Sequence, residues 1–369
     1  RGVNTLILVH RQQLMDQWVE RLQQFLGLEE KEIGRLGGGR KKLTGKIDVA
    51  LIQSMVRKGV VKDHVADYGH LIIDECHHLA ARSFELVARK AKARYVLGLS
   101  ATVTRKDGHH PLIFMQCGPV RHRVDAKSEA AARPFAHEVV VRPTGFRFPE
   151  VAEEDPRMAY QNYCEALWQD DERNEMICAE VLEALRAGRT PLMLTERTEH
   201  IDRLARILEP EVEHLILLKG GLGKKNLGAE MKRLAGIPGD EPRLIIATGK
   251  FVGEGTMPVS WKGTIAQYAG RLHRLHDGKD LVQIYDYADL DIPMLSRMFD
   301  RRCEGYEAVG YAILLPASAL PGWPQEVPLP LDPRWKKDYA ASVRRLIRDG
   351  VDQPLAQLFV HATAPPPKG

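Results

Sequence analysis

Leu71-Ile72-Ile73-Asp74-Glu75-Cys76-His77 is the stretch on which the reading of this chain turns. Three consecutive large aliphatic residues, apolar on both faces, read as a strand buried inside a parallel sheet. Two carboxylates follow at once. In α/β sheets ligands bind outside the carboxyl ends of the strands, so Asp74 and Glu75 fall at a candidate site. One carboxylate can hold Mg²⁺, usually through water, because that ion keeps most of its hydration shell. The next can take a proton from an attacking water. Taken alone, the pair also fits an exposed acidic turn after a strand.

Around this strand the same alternation repeats. Thr5-Leu6-Ile7-Leu8-Val9 is a second buried-strand pattern, and Arg11 to Leu26 follows as a helix with Leu14, Trp18, Leu22 and Phe25 on one face. Asp48 to Ile52 and Tyr95 to Leu99 read as further strands, and Ser83 is placed as the N-cap of the helix between Leu71–Ile73 and Tyr95–Leu99. Strand–helix alternation of this kind predicts a parallel, doubly wound sheet. Ser100-Ala101-Thr102 closes the strand ending at Leu99, and small hydroxyls there can sense a neighbour such as His77 by hydrogen bonding.

The pattern lapses over residues 126–160, where Pro and Gly are scattered around one alternating stretch, His137 to Val141, which reads as a short strand in a connector. A second α/β series begins near Asp171. Ile177, Val181 and Leu185 mark a helix, Pro191 to Thr195 a strand, and Thr198 caps a helix bearing Ile201, Leu204 and Leu208. His214 to Leu218, Leu244 to Thr248 and Leu281 to Tyr287 complete the strands, with a helix carrying Leu227, Met231 and Leu234 among them. A Gly-rich turn, Thr248-Gly249-Lys250 through Gly253-Glu254-Gly255, follows one strand and can turn backbone N–H groups toward phosphate. In Gln267-Tyr268-Ala269-Gly270-Arg271-Leu272-His273-Arg274, Arg271 and Arg274 share a helix face and can clamp a transferring phosphoryl group; a solvated basic face is the alternative.

The expected organisation is therefore a first α/β domain over 1–130, a connector over 131–165, a second α/β domain over 166–315, and a Pro-rich extension over 316–369 with one basic helix, about Pro333 to Arg348. Hydrophobic residues are 44% and charged residues 28%, which excludes disorder as the main state. The five Cys form no Cys-x-x-Cys pair, which argues against a zinc ribbon or disulfide framework and fits a reducing cytoplasm. No apolar run reaches the roughly 18 residues of a membrane span, and no signal peptide is evident. Lys and Arg number 53 against 49 Asp and Glu, a net charge of +4 that allows a polyanionic partner without requiring one. The His pairs lack carboxylate or Cys neighbours at zinc-ligand spacing, and Cys76 reads as a small packing residue.

Together and in this order, these segments resemble superfamily 2 helicases, the DEAD/DEAH-box-like translocases with two RecA-like domains, and within them the excision-repair and restriction-type DNA helicases whose box reads Asp-Glu-Cys-His. The resemblance runs from about Thr5 to Tyr311. It implies ATP and Mg²⁺ as cofactors: Asp74 would bind the Mg²⁺ of Mg-ATP and Glu75 would activate water. His77 would couple to Ser100 and Thr102, while Gln267, Arg271 and Arg274 would reach the γ-phosphate, with Gly253 and Glu254 on the same nucleotide. It also implies nucleic-acid contacts, to DNA more than RNA, by His10, Arg11, Gln53 and Ser54 in the first domain and Thr195, Arg197, Thr248 and Gly249 in the second. Such contacts go largely to phosphate, so binding is expected to be salt-dependent.

Two departures stand beside the resemblance. The family's Gly-x-x-x-x-Gly-Lys-[Ser/Thr] loop, which cradles the phosphates, does not occur in these residues; the resemblance implies that it would lie upstream of Arg1, with upstream domains of a longer polypeptide as an expected partner. Gly220-Gly221-Leu222-Gly223-Lys224-Lys225 does not replace it, because Leu218 stands at the first Gly position and Lys225 at the hydroxyl. After Gly255, about a dozen residues and a central strand expected of the family are missing, unless Met257 to Trp261 supplies a stub. The reading is an ATP-dependent helicase or translocase whose chain, as it stands, binds ATP poorly. The alternatives are a non-catalytic nucleic-acid-binding fragment, or the helicase portion of a larger defence or primase–helicase polypeptide.

Overall fold

A computed structural model of the chain describes residues 2–76, 82–100, 110–148, 156–249, 279–316, 327–329 and 338–349. The chain divides into two compact units, Arg1–Val124 and Asp125–Gly369.

In the first unit the elements run β1 (Thr5–Val9), α1 (Gln12–Leu26), β2 (Ile33–Gly37), β3 (Arg40–Lys42), β4 (Ile47–Leu51), α2 (Ile52–Met55), the small hairpin β5 (Val56–Arg57) and β6 (Val60–Val61), β7 (His70–Ile73), α3 (Arg82–Lys90), β8 (Tyr95–Gly98) and α4 (His110–Cys117). Six strands form one sheet in the order β3-β2-β4-β1-β7-β8. Every pairing is parallel except that of β3 with β2. The two-faced apolar patterns are used as read. Leu6 and Leu8 of β1 join Leu71 and Ile73 of β7 in one core, with Val87 of α3 and Ile113 of α4. Ile7 and Val9 point to the other face, where Met15 and Val19 of α1 bury against them.

Local details differ from the expectation. Helix α1 buries Met15 and Val19; Leu14, Trp18 and Leu22 pack only partly, and Phe25 is 73% exposed beyond the edge of the sheet. The apolar stripe is thus rotated by one residue from the one chosen. Ser83 is the second residue of α3 and does not precede it.

A buried carboxylate braces the middle of the sheet. Asp48 of β4 is fully buried and accepts from Tyr68 Oη at 2.5 Å, Thr44 N at 2.7 Å, Thr44 Oγ1 at 2.8 Å and Gly45 N at 2.8 Å. A buried charge is tolerated when it is satisfied in this way. Neighbouring Gly34 leaves the room: a Cβ there would stand 1.7 Å from Asp48 Oδ1.

The second unit runs α5 (Ala126–Ala131), β9 (Ala136–Pro143), α6 (Pro156–Gln169), α7 (Asp171–Arg186), β10 (Leu192–Thr195), α8 (Thr198–Leu208), β11 (Leu215–Leu218), α9 (Lys224–Gly236), β12 (Leu244–Thr248), β13 (Leu281–Ala288), α10 (Pro293–Ala308), β14 (Ala312–Leu315), β15 (Val327–Leu329) and α11 (Tyr339–Asp349). Its described strands form two sheets, a parallel β10-β12-β11 and a four-stranded β13-β9-β14-β15 with β15 antiparallel.

Helix α7 ties them together. Ile177, Cys178 and Val181 share a core with β12 and α8, against which Tyr287 of β13 also packs. Tyr287 Oη donates to Glu180 at 2.8 Å, Arg173 Nε reaches Asp289 at 2.9 Å, and Arg142 of β9 pairs with Glu180.

The alternating stretch at His137 to Val141 is a strand, but an eight-residue one, hydrogen-bonded along both edges to β13 and β14. Thr198 opens α8 as its first residue while Arg197 occupies the cap position; the Thr198 hydroxyl donates to Glu199. Met231 of α9 is 49% exposed, whereas Leu227 and Leu234 pack inward. The basic helix near the C-terminus is described as α11, and its Tyr339, Ala340, Val343 and Leu346 are buried in one core with α10 and β13. Its basic character belongs to one face only.

Candidate nucleotide and nucleic-acid site

Parallel strands bring the candidate residues of the first unit to one edge. β1 lies between β4 and β7, and β8 flanks β7. The residues that follow these four strands are His10 and Arg11 after β1, Gln53 and Ser54 after β4, Asp74 and Glu75 after β7, and Ser100 after β8. Val9 is in register with Leu51, and Leu8 with Ile73. All of them therefore sit at the carboxyl edge of the sheet, where α/β sheets bind their ligands.

Backbone bonds extend the ladders into the site. Asp74 N donates to Leu8 O at 3.0 Å, Leu99 N to Ile73 O at 2.9 Å, and Cys76 N to Leu99 O at 2.8 Å. The last bond returns the box to the β8 end just before Ser100. Gln53 Nε2 donates to His10 O at 2.8 Å, which joins two of the segments expected to touch nucleic acid. Arg11 is exposed ahead of α1.

Asp74 is partly exposed. Its Oδ2 accepts from Trp18 Nε1 at 2.8 Å and its Oδ1 from Glu75 N at 3.1 Å. Glu75 itself has φ +50°. A non-glycine residue in the left-handed region stores about 1–3 kcal/mol of backbone strain, and such strain collects at functional sites. Cys76 is buried in the first unit's core, as read. Its sulfur lies beside that of Cys117, both within 3.0 Å of where a Cβ on Gly98 would stand. The hydrogen bond to Cys76, with burial next, pushes the Cys117 thiol well above its ordinary range. His77 and Thr102 lie outside the described residues.

In the second unit Thr195 and Thr248 are directly opposite each other at the ends of β10 and β12. The Thr195 hydroxyl is 3.0 Å from His200 Nδ1, and His200 Nε2 is 3.0 Å from Asn174 Oδ1. Burial, then Arg173 and Arg203, push His200 down to about 4, so this imidazole is neutral at pH 7. A neutral ring held by Asn174 orients the Thr195 hydroxyl from behind. No sequence signal pointed to His200 or Asn174: His200 lies five residues from Thr195 in the first turn of α8, and Asn174 meets it only once α7 packs beside α8. Arg197 is exposed, and its N–H leans on Thr195 Oγ1 at 3.4 Å. Thr248 is buried at 6% exposure, and its hydroxyl has no hydrogen-bond partner among the described residues. Gly249 follows it, partly exposed. Gly253, Glu254, Gln267, Arg271 and Arg274 lie outside the described residues, as does the Met257 to Trp261 stretch. Among the described residues no group of three or more His, Cys, Asp or Glu is arranged to hold a metal, and no helix is long and apolar enough to cross a membrane.

Comparison with known proteins agrees with this picture. Residues 1–105 match the family described as type III restriction enzyme, res subunit. A putative ATP-dependent RNA helicase of Acanthamoeba polyphaga mimivirus is 28% identical over 216 residues, 56% of this chain and 40% of that protein. A DNA 3'-5' helicase XPB of Kineococcus radiotolerans is 32% identical over 225 residues, 56% of this chain and 38% of that protein. A probable helicase of an Escherichia phage is 25% identical over 296 residues, 75% of this chain and 60% of that protein. The chain thus spans about two fifths of the length of the first two relatives. Among solved structures, a fragment of a putative HsdR subunit of a type I restriction enzyme from Vibrio vulnificus has TM-score 0.56 at 17% identity, covering 86% of this chain and 58% of that one. S. cerevisiae Dbp5 bound to RNA and ADP BeF3 has TM-score 0.51 at 10% identity, covering 84% and 77%. At these identities the two structures show the α/β fold of tandem RecA-like domains. With the res-subunit match in its first unit and helicases as its relatives in sequence, the chain is similar to the superfamily 2, DEAD/DEAH-box-like helicases.

Proposed function

We propose that this chain works as the core of an ATP-driven translocase or helicase on nucleic acid, DNA more than RNA. Asp74 and Glu75 then serve the nucleotide, and the neighbouring strand ends serve the nucleic-acid backbone. The observation that carries this reading is the convergence of four strand ends on one edge. The carboxylate pair after β7 stands beside Ser100 after β8, while Arg11 after β1 and Gln53 after β4 sit next to them and are linked through the Gln53–His10 bond. The relatives named for DNA and RNA helicases support it.

The donor set fits the implied cation in part. Asp74 is a partly exposed hard oxygen donor at a sheet edge, as a single-carboxylate Mg²⁺ site requires. Mg²⁺ bound with ATP would neutralise charge on the phosphate oxygens. Asp74 would hold it through water, and Glu75, raised beside it by its left-handed backbone, would accept the proton of the attacking water. Ser100 with Thr102 and His77 would relay the state of the box. Gln267, Arg271 and Arg274, with Gly253 and Glu254, would meet the phosphates from the second unit's sequence. Arg11, Gln53, Ser54, Thr195, Arg197, Thr248 and Gly249 would hold the nucleic-acid backbone. The phosphate cradle does not occur in these 369 residues, so they are proposed to bind ATP weakly and to turn it over very slowly by themselves.

Two measurements on the 369-residue chain test this. Single-stranded DNA binding is expected at low salt and should weaken steeply with added KCl, the slope counting the phosphates contacted. ATPase activity should stay near background with and without DNA. Failure to bind DNA or RNA at low salt would sink the nucleic-acid reading. Robust DNA-stimulated hydrolysis, abolished by Glu75→Gln, would keep the motor reading and overturn the weak-ATP part.

A further inference from the structure

We propose that Trp18 is the positioning residue of the Asp74 carboxylate, holding it in the orientation that a hydrated divalent cation needs. This deepens the nucleotide-site reading above and rests on it for the cation. Trp18 was read from the sequence as one residue of an apolar helix face, and part of it does pack on the core under α1. Its indole N–H, however, points at Asp74 Oδ2 across 2.8 Å. The two residues are 56 positions apart, so the contact is created by the fold and not by local chain geometry.

The geometry favours positioning over simple anchoring. Oδ2 takes the indole proton and Oδ1 takes the N–H of Glu75. Two donors on opposite oxygens fix rotation about the Cβ–Cγ bond. A carboxylate oxygen has more than one acceptor direction, so a bond from Trp18 does not by itself exclude a water of a hydrated cation. The indole N–H is a donor with no acceptor function, so toward the Asp74 carboxylate it can only donate. Hydrogen bonds to a charged group are the stronger kind. Trp18 also carries this donor on the helix that Arg11 leads into, two turns further on. The donor therefore sits on a rigid element that starts at the nucleic-acid segment.

The test uses the full chain with ¹⁵N at the tryptophan indoles. Trp18 is one of five tryptophans, and Trp18→Phe assigns its resonance. Asp74→Asn is expected to move the Trp18 indole signal and leave the other four in place. An unmoved signal overturns the hydrogen bond and the proposal with it. The second readout is Mn²⁺ affinity in the presence of ADP, followed by electron paramagnetic resonance. Loss of one charge-assisted donor in Trp18→Phe should weaken Mn²⁺ binding roughly tenfold, with the backbone amide signals of residues 1–124 reporting an intact first unit. Unchanged Mn²⁺ affinity in Trp18→Phe overturns the positioning role, because a packing residue replaced by Phe would give that result. If the parent chain binds no Mn²⁺ with ADP while Asp74→Asn still shifts the indole, Trp18 is left as an anchor for α1 and the proposal is overturned, whereas the nucleotide-site reading, which expects weak nucleotide binding by these residues, stands or falls on the DNA-binding and ATPase measurements above. If Mn²⁺ binds and both variants respond, the proposal stands whatever the rate of ATP hydrolysis.

Discussion

Asp48→Ala should unfold the first unit selectively, and the size of the effect follows from what Asp48 holds. Its carboxylate takes one bond from Tyr68 and three from Thr44 and Gly45. Tyr68 is only 4% exposed, so its hydroxyl cannot find water when Asp48 is removed. An unsatisfied buried hydroxyl costs about 1–3 kcal/mol. Thr44 is partly exposed and Gly45 is exposed at the start of β4, so water replaces their partner, and each bond there is worth nearer 0.5–1 kcal/mol net. The sum is about 3–5 kcal/mol. Asp48→Asn keeps one acceptor and should cost about half of that. Trp18 is the sole tryptophan of residues 1–124, so its indole resonance reports urea unfolding of the first unit apart from the second. With a urea slope of about 1–3 kcal/mol per M, the midpoint should fall by about 2 M for Asp48→Ala. A midpoint within a few tenths of a molar of the parent would refute the reasoning. The Asp48 charge would then gain no net stability from its four donors, and its burial would be compensated by solvent entry.

Two further predictions concern the second unit. Asp286 is 4% exposed and receives Arg302 in two bonds of 2.7 Å plus Tyr306 at 3.0 Å; Asp286→Ala strands a buried guanidinium and should cost about 3–5 kcal/mol, read as a loss of soluble folded protein or a large fall in the unfolding temperature. His200 is held down to about 4 against 6.5 when unfolded. The unfolded chain therefore binds the extra proton first, and stability is full above pH 6.5 and lost as pH falls toward 4, by about 3 kcal/mol in all. Unfolding free energies measured from pH 7 to 4 should show this slope for the parent and a shallower one for His200→Gln, and equal slopes would remove His200 as the cause.

How legible was this molecule before its structure? Periodicity located the elements of the first unit because parallel strands bury both faces. Leu6 to Val9 and Leu71 to Ile73 could hardly lie anywhere but in the middle of a sheet. Helix faces were less legible. Choosing Leu14, Trp18, Leu22 and Phe25 over Met15 and Val19 was a shift of one residue, and hydrophobicity alone separates two adjacent stripes poorly. Strand partners were least legible in the second unit. β9 looked like an isolated piece because its partners, β13 and β14, come from residues 281–288 and 312–315. Pairing across so much intervening chain leaves no periodic trace.

The site shows the same division between what the chain order encodes and what packing creates. Asp74 and Glu75 were singled out because a strand end followed by carboxylates is a local pattern with a chemical reason. Trp18, His200 and Asn174 were not, because each acts through one polar atom: Trp18 Nε1 reaches Asp74 and Asn174 Oδ1 reaches His200 across 56 and 26 positions, while His200 Nδ1 meets Thr195 five residues away. All three sit on helices that also bury apolar residues, and Trp18 was read as part of an apolar helix face. The polar atom is a small part of such a side chain, and hydrophobic periodicity weighs the whole of it. Residues of this type, amphipathic ones on a helix that covers the carboxyl edge of a sheet, are therefore where supporting groups of a site in this fold should be sought, and Trp18 offers the sharpest test because its donor already stands at 2.8 Å from a carboxylate.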